Sequence, residues 1–155
     1  MIGPALVCVS GCGDDGLGAR YPLSGKVTYK GQPVAKGRIT FTPTDAHGHG
    51  ATGEIENGSF SSVTTLNPGD GALPGDYKVS IDTREVDEAV LKEETKKLAE
   101  KHGMPNIAQL PQELRAQAMK NAKSSVPGKY QIPESTDLKT TVKAEKNYVE
   151  LDLKD

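Results

Sequence analysis

Two imidazoles stand two residues apart in the segment Ala46-His47-Gly48-His49-Gly50, with Asp45 directly before it. Imidazole nitrogens and a carboxylate suit a divalent transition metal such as zinc, and a His-x-His pair can reach one ion from a single loop. No third nitrogen or sulfur ligand can be assigned to the pair. The flanking glycines would leave the ligands mobile, so an exposed polar loop accounts for the same residues. The third histidine, His102, closes a stretch with helical spacing. A cation is favoured at that place by the helix dipole and the free carbonyls, and this explains it without catalysis.

Asp70 and Asp76 lie in the glycine turns of Asn67-Pro68-Gly69-Asp70-Gly71-Ala72-Leu73-Pro74-Gly75-Asp76. Calcium loops are made of such residues, but the ordered carboxylates of a helix–loop–helix site are missing, and Asp with Gly needs no ion to explain a turn. The chain has no Gly-x-Ser-x-Gly elbow. Ser24-Gly25-Lys26-Val27-Thr28 resembles half a phosphate loop, yet it lacks the upstream glycine and reads as a strand. No complete catalytic set emerges, and no cofactor is expected.

Thiol chemistry is confined to Cys8 and Cys12. Two cysteines so close to one end cannot cross-link distant parts of a fold. Residues Ile2 to Val9 are apolar apart from Gly3, and small residues follow, in the manner of a secretory segment before its cleavage point. Val9-Ser10-Gly11-Cys12 resembles the bacterial lipobox, in which an aliphatic and two small residues precede a cysteine that receives diacylglycerol. Small side chains let the backbone enter a peptidase cleft, and the thiol forms the thioether. Cys8 follows Val7 and does not fit. Residues 1 to 11 contain neither Lys nor Arg, which a secretory segment needs at its start, so this reading places the true start upstream of Met1. A short apolar cytosolic tail is the alternative. On the lipoprotein reading, residues 1–11 are a truncated signal peptide, Cys12 is the lipidation site, residues 12–20 are a tether, and residues 21–155 are the folded domain.

The elements that would position any site follow from composition and pattern. The chain has 155 residues, 35% hydrophobic and 5% aromatic, with 17 Gly, 10 Pro and no Trp. Mean hydropathy is −0.52. This bounds one domain with a modest core and many turns. The 19 basic and 21 acidic residues give a net charge of −2, which offers no general attraction to nucleic acid. No apolar run approaches the ~20 residues of a membrane-spanning helix.

Period-two alternation marks the strands. Leu23, Val27 and Tyr29 share one parity, and Lys30-Gly31-Gln32-Pro33 reads as a turn. Ile39, Phe41 and Pro43 form a second strand. Asn57-Gly58 supplies the two positive-φ residues of a type I′ hairpin between Ile55 and Phe60. Val63 breaks parity with Phe60, which predicts a bulge near Ser61-Ser62. Tyr77, Val79 and Ile81 alternate next. From Glu85 to Lys123 the pattern turns helical, with Leu91, Thr95, Leu98 and His102 on one stripe. Glu88 with Lys92 and Glu93 with Lys97 are favourable i,i+4 pairs. Gly103 and Pro105 end this helix, and a second begins near Pro111 with Leu114, Ala118 and Ala122 inward. Leu138, Val142 and Ala144, then Val149, Leu151 and Leu153, predict a closing hairpin. The sum is an all-β fold of seven strands in two packed sheets, with a helical insertion at about 85–123 before the last two strands.

The pieces from Tyr21 to Pro43, Gly53 to Ser61, Leu73 to Ile81 and Val126 to Leu153 together resemble the carboxypeptidase-regulatory-like, transthyretin-like β-sandwich domain of small bacterial lipoproteins. The resemblance covers about residues 20–84 and 124–155, and the insertion departs from its simplest pattern. It implies a seven-stranded Ig-like sandwich, exported and surface-associated, with no established chemistry for most members. One enzyme class on such a fold, the hydroxyisourate hydrolases, ends in Tyr-Arg-Gly-Ser, whereas this sequence reads Val-Glu-Leu-Asp-Leu-Lys-Asp there. The expected function is therefore a non-enzymatic, lipid-anchored module at the cell envelope that binds or scaffolds another protein or an envelope polymer. The alternatives are a metal-binding protein using His47, His49 and Asp45, and a small-ligand carrier that uses an oligomer interface.

Overall fold

The computed structural model describes residues 16–84, 88–104, 111–121 and 124–155. It is mostly β. Eight strands run in the order β1 (Leu23–Tyr29), β2 (Gln32–Pro33), β3 (Lys36–Pro43), β4 (Ala51–Glu56), β5 (Ser59–Phe60), β6 (Gly75–Asp82), β7 (Lys139–Val142) and β8 (Asn147–Leu153). Two helices, α1 (Glu88–Lys101) and α2 (Gln112–Asn121), lie between β6 and β7.

All strands belong to one hydrogen-bonded network. β8 pairs with β1, β1 with β2 and β5, and the order continues β4, β3, β6, β7. Every pairing is antiparallel except β1 with β8, which are parallel from Leu23↔Asn147 to Tyr29↔Leu153. Laid flat, these seven strand positions would span about 29 Å at ~4.8 Å per neighbour. Residues 143–146, which join the two edge strands, bridge at most about 18 Å between Val142 and Asn147. The sheet is therefore curled, with β7 and β8 brought towards each other.

Curling encloses one core. Leu23 and Val27 of β1, Ile39 and Phe41 of β3, Ile55 of β4, Phe60 of β5, Val79 and Ile81 of β6, Val142 of β7 and Leu151 and Leu153 of β8 are buried together. These are the alternate residues that the sequence pattern places on one face. Phe41 has its ring centroid 5.8 Å from that of Phe60 and 6.4 Å from that of Tyr77.

Two local expectations change, and a third holds. Lys30 and Gly31 take φ of 52° and 76° and make the first turn alone. Gln32 and Pro33 then pair with Tyr29 and Thr28 as a short extra strand. The residues from Leu138 to Leu153 are not a hairpin, because β7 joins β6 and β8 joins β1. Asn147 holds the connection as an arch: its side chain accepts the Lys143 N–H at 2.9 Å and donates to the carbonyls of Lys143 and Glu145. Near Ser61-Ser62 the chain does carry one extra residue. Ser59 pairs with Glu56 while Thr64 bridges Thr52, one position out of step. That shift lets Phe60 and Val63 both face the core.

The Asn57-Gly58 turn has φ of 49° and 77°, as its type requires. α1 ends at Gly103, which has φ of 66°, and α2 follows Pro111. Thr95, Leu98, Ala99 and Ala118 are buried, and each helix packs mainly on the other. Lys97 meets Glu93 at 3.0 Å. The Leu91 and Ala122 side chains lie outside the described residues. No helix among the described residues is long and apolar enough to cross a membrane.

Candidate functional site

The β3–β4 loop (residues 44–50), the approach to β6 and the segment Gly16–Ala19 surround an open cleft of about 910 Å³. His47, His49, Asp45 and Asp76 all line it, so the residues with the most chemical potential share one depression.

The histidine loop is more ordered than its glycines imply. Asp45 Oδ1 accepts the His47 N–H at 2.8 Å, and the Asp45 carbonyl accepts the Gly48 N–H at 3.0 Å. Gly48 lies against Pro43, where an added Cβ would approach the proline Cβ to 2.4 Å. Glycine is thus needed for close approach at this point, and its effect is to fold the loop back. His47 and His49 themselves are exposed. Among the described residues no three His, Cys, Asp or Glu side chains gather so as to hold a metal ion. Asp45, His47 and His49 therefore share the cleft wall without converging on one point.

Tyr77 joins the histidine loop to the start of β6. It is buried, and its hydroxyl donates to the Leu73 carbonyl at 2.8 Å and lies 3.5 Å from the His49 carbonyl. Burial pushes its pKa up, so the phenol stays a neutral donor. Asp76 is fixed at both ends. Its carbonyl accepts the Thr44 N–H at 2.9 Å, and its carboxylate accepts the Thr141 hydroxyl of β7 at 2.6 Å.

Asp70 serves a different purpose from ion binding. Its carboxylate accepts the N–H groups of Thr65, Leu66 and Asn67 at 2.7, 3.2 and 2.9 Å, and Arg20 Nε reaches it at 2.8 Å. Burial pushes this carboxyl upward, but the three amides and Arg20 outweigh burial and hold it below its ordinary value. Asp70 and Asp76 thus face different partners and form no calcium loop. Next to the Arg20–Asp70 pair, Tyr21 and Ala72 exchange backbone hydrogen bonds of 2.9 and 3.0 Å. This clamp holds the segment that forms the N-terminal wall of the cleft.

His102 is exposed at the end of α1, and its N–H returns to the Leu98 carbonyl at 3.1 Å. That agrees with a helix-terminal role, and it does not line the cleft. Cys8 and Cys12 lie outside the described residues. Sequence reasoning missed Tyr21, Leu73 and Tyr77 as cleft residues. Tyr77 was legible as a strand residue, but nothing local marks it as the link between two loops.

Comparison with family models, with curated proteins and with solved structures finds no match for this chain.

Proposed function

We propose that this protein is an exported, lipid-anchored β-sandwich of the transthyretin-like kind, acting as a non-enzymatic binding module at the cell envelope, with the cleft beside its tether as the binding site. The sandwich reading draws on the shared core, to which β1, β3, β4, β5, β6, β7 and β8 all contribute buried residues. The anchor reading draws on Val9-Ser10-Gly11-Cys12. Diacylglycerol on Cys12 would add about 0.8 kcal/mol of membrane affinity per buried CH₂.

One observation carries the combined reading. The residues that form the cleft wall, Gly16 to Ala19, begin four positions after Cys12. An occupant of the cleft would therefore sit next to the anchor, within reach of the membrane surface or of a polymer attached to it. The cleft is open and mixed in character, lined by two imidazoles and two carboxylates beside Leu17, Tyr21, Leu73 and Pro74, and suits a loop of a partner protein or a segment of an envelope polymer. Metabolic labelling with a palmitate analogue tests the anchor. Label is expected on the native protein and is lost in Cys12→Ser; label that does not depend on Cys12 ends the anchored reading.

A second reading is a metal-carrying protein using Asp45, His47 and His49; it requires these three residues, which line one cleft without converging, to draw together around an ion. Elemental analysis of untagged protein decides it. A metal content below about a tenth of an equivalent, unchanged in His47→Ala, would dispose of that reading.

A further inference from the structure

β8 is an edge strand whose outer side is open over a defined length. The Asn147 N–H bonds the Pro22 carbonyl on the β1 side. In a parallel pair the inward residues alternate, so Asn147, Val149, Leu151 and Leu153 turn their backbone groups to β1. Tyr148, Glu150, Asp152 and Lys154 turn theirs outward. At Lys154 both groups are taken: its N–H donates to the Tyr130 hydroxyl at 2.8 Å, and that hydroxyl donates to its carbonyl at 2.8 Å. The outward N–H and C=O groups of Tyr148, Glu150 and Asp152 have no backbone partner among the described residues.

Monomeric proteins blunt such edges with proline, bulges, short length or charged side chains, lysine above all. β7 is four residues long and carries Lys139, and β2 contains Pro33. β8 runs for seven residues without proline, glycine or lysine, and it is paired along its whole length with β1. Its exposed side chains are Tyr148, more than half exposed, then Glu150 and Asp152.

Charge selects the occupant. A second copy using all six open groups would set Glu150 against its own counterpart and Lys146 against Lys154. Like charges directly opposite are destabilising. A strand with cations opposite the two carboxylates meets neither problem. We propose that the edge from Tyr148 to Asp152 takes up an extended segment of another protein bearing Lys or Arg at alternate positions, added antiparallel to β8. No residue of this edge lines the cleft, so the proposal stands apart from the cleft reading.

The test uses the full chain and two labelled peptides, one alternating valine with lysine and one alternating valine with glutamate, titrated by fluorescence anisotropy. The lysine peptide should bind at least about tenfold tighter. Methylating its alternate amide nitrogens should abolish binding, because the main chain supplies the contacts. Glu150→Lys with Asp152→Lys should reverse the preference, while Glu54→Lys with Glu56→Lys, the same charge change on β4, should leave it unaltered. Native-protein amide exchange gives a readout that needs no variant. The peptide should slow exchange at Tyr148, Glu150 and Asp152 and leave Val149 and Leu151 unchanged. Equal affinity for the two peptides, indifference to N-methylation, loss of binding in the β4 variant, protection without alternation, or a dimer by light scattering that shields these same amides would each overturn the proposal.

Discussion

The hydroxyl oxygens of Thr83 and Ser124 lie 3.0 Å apart, although 40 residues separate them in the chain. Thr83 Oγ1 also accepts the Ser125 N–H at 2.8 Å, and Arg84 clasps Asp82 through two side-chain bonds of 3.0 and 2.8 Å. The chain leaves the sheet and returns to it at one point, so the helical segment is an excursion closed at its base.

Removal of the excursion should leave the sheet standing. The sheet core contains no residue of α1 or α2, and shortening a loop changes closure entropy by only about 0.6 kcal/mol per halving. With residues 85–123 replaced by a three-residue glycine–serine linker, the far-ultraviolet spectrum should keep its β character and lose its helical part. Thirty-nine residues shortened to three is nearly four halvings, so the free energy of unfolding in urea should rise by no more than about 2 kcal/mol and should not fall. Loss of cooperative unfolding would show that the helices help to form the core.

Gly25 should tolerate no side chain. An added Cβ there would stand 2.0 Å from the Val149 carbonyl oxygen and 2.8 Å from the Phe60 ring. Neither can yield cheaply, since one is backbone in the β1–β8 ladder and the other a buried aromatic. Gly25→Ala should cost about 3 kcal/mol or more, at the severe end for a single substitution. Gly31→Ala is the control. Gly31 meets no neighbour, so only its positive φ opposes the methyl group, at a cost of about 1 kcal/mol. Urea midpoints for the two variants measure the difference.

The Asp70 carboxylate should make stability depend on pH. Its folded pKa is depressed, so its contribution is complete above the unfolded aspartate value of about 3.9 and is lost as pH falls through the lower folded value. Asp70→Asn keeps the size but weakens three amide bonds and the Arg20 pair. The variant should be less stable by about 2 kcal/mol at pH 7. The gap should shrink as pH falls below the unfolded aspartate value and close once pH lies below the depressed folded value, where the native carboxyl is also protonated. A gap independent of pH would mean that the loop is held by shape rather than by charge.

Much of this architecture was legible because a half-buried strand must alternate. Val27, Ile39, Phe41, Val79, Ile81 and Leu151 were each placed on a strand face by parity, and each is buried. Parity names the face of a strand and is silent about its neighbour. For that reason Leu138–Val142 and Val149–Leu153 read as a hairpin, whereas their partners are β6 and the distant β1. The arch between them depends on Asn147, whose side chain closes the turn without a glycine. The cleft was visible only as its histidine loop. Its other walls come from residues 16–21 and 73–77, which no local pattern links to residues 45–49.

Tyr130 illustrates a contact beyond the reach of pattern. It follows Pro127 in a 3-10 turn, is buried, and meets Lys154 from 24 residues away. Its hydroxyl both donates to and accepts from that one residue, and so occupies the position an added strand would take at the end of β8. Tyr130→Phe keeps the ring and removes both bonds. Because Lys154 is exposed, water replaces part of what is lost, and stability should fall by about 0.5–1.5 kcal/mol. The effect on amide exchange should be local and alternate. Lys154, which faces outward, should exchange about tenfold faster, a change of ~1.4 kcal/mol, whereas Leu153, which faces β1, should keep its protection. Equal acceleration at both residues would mean that the ring and hydroxyl hold the whole end of β8 to the sheet, and that the outward groups are not a separate edge.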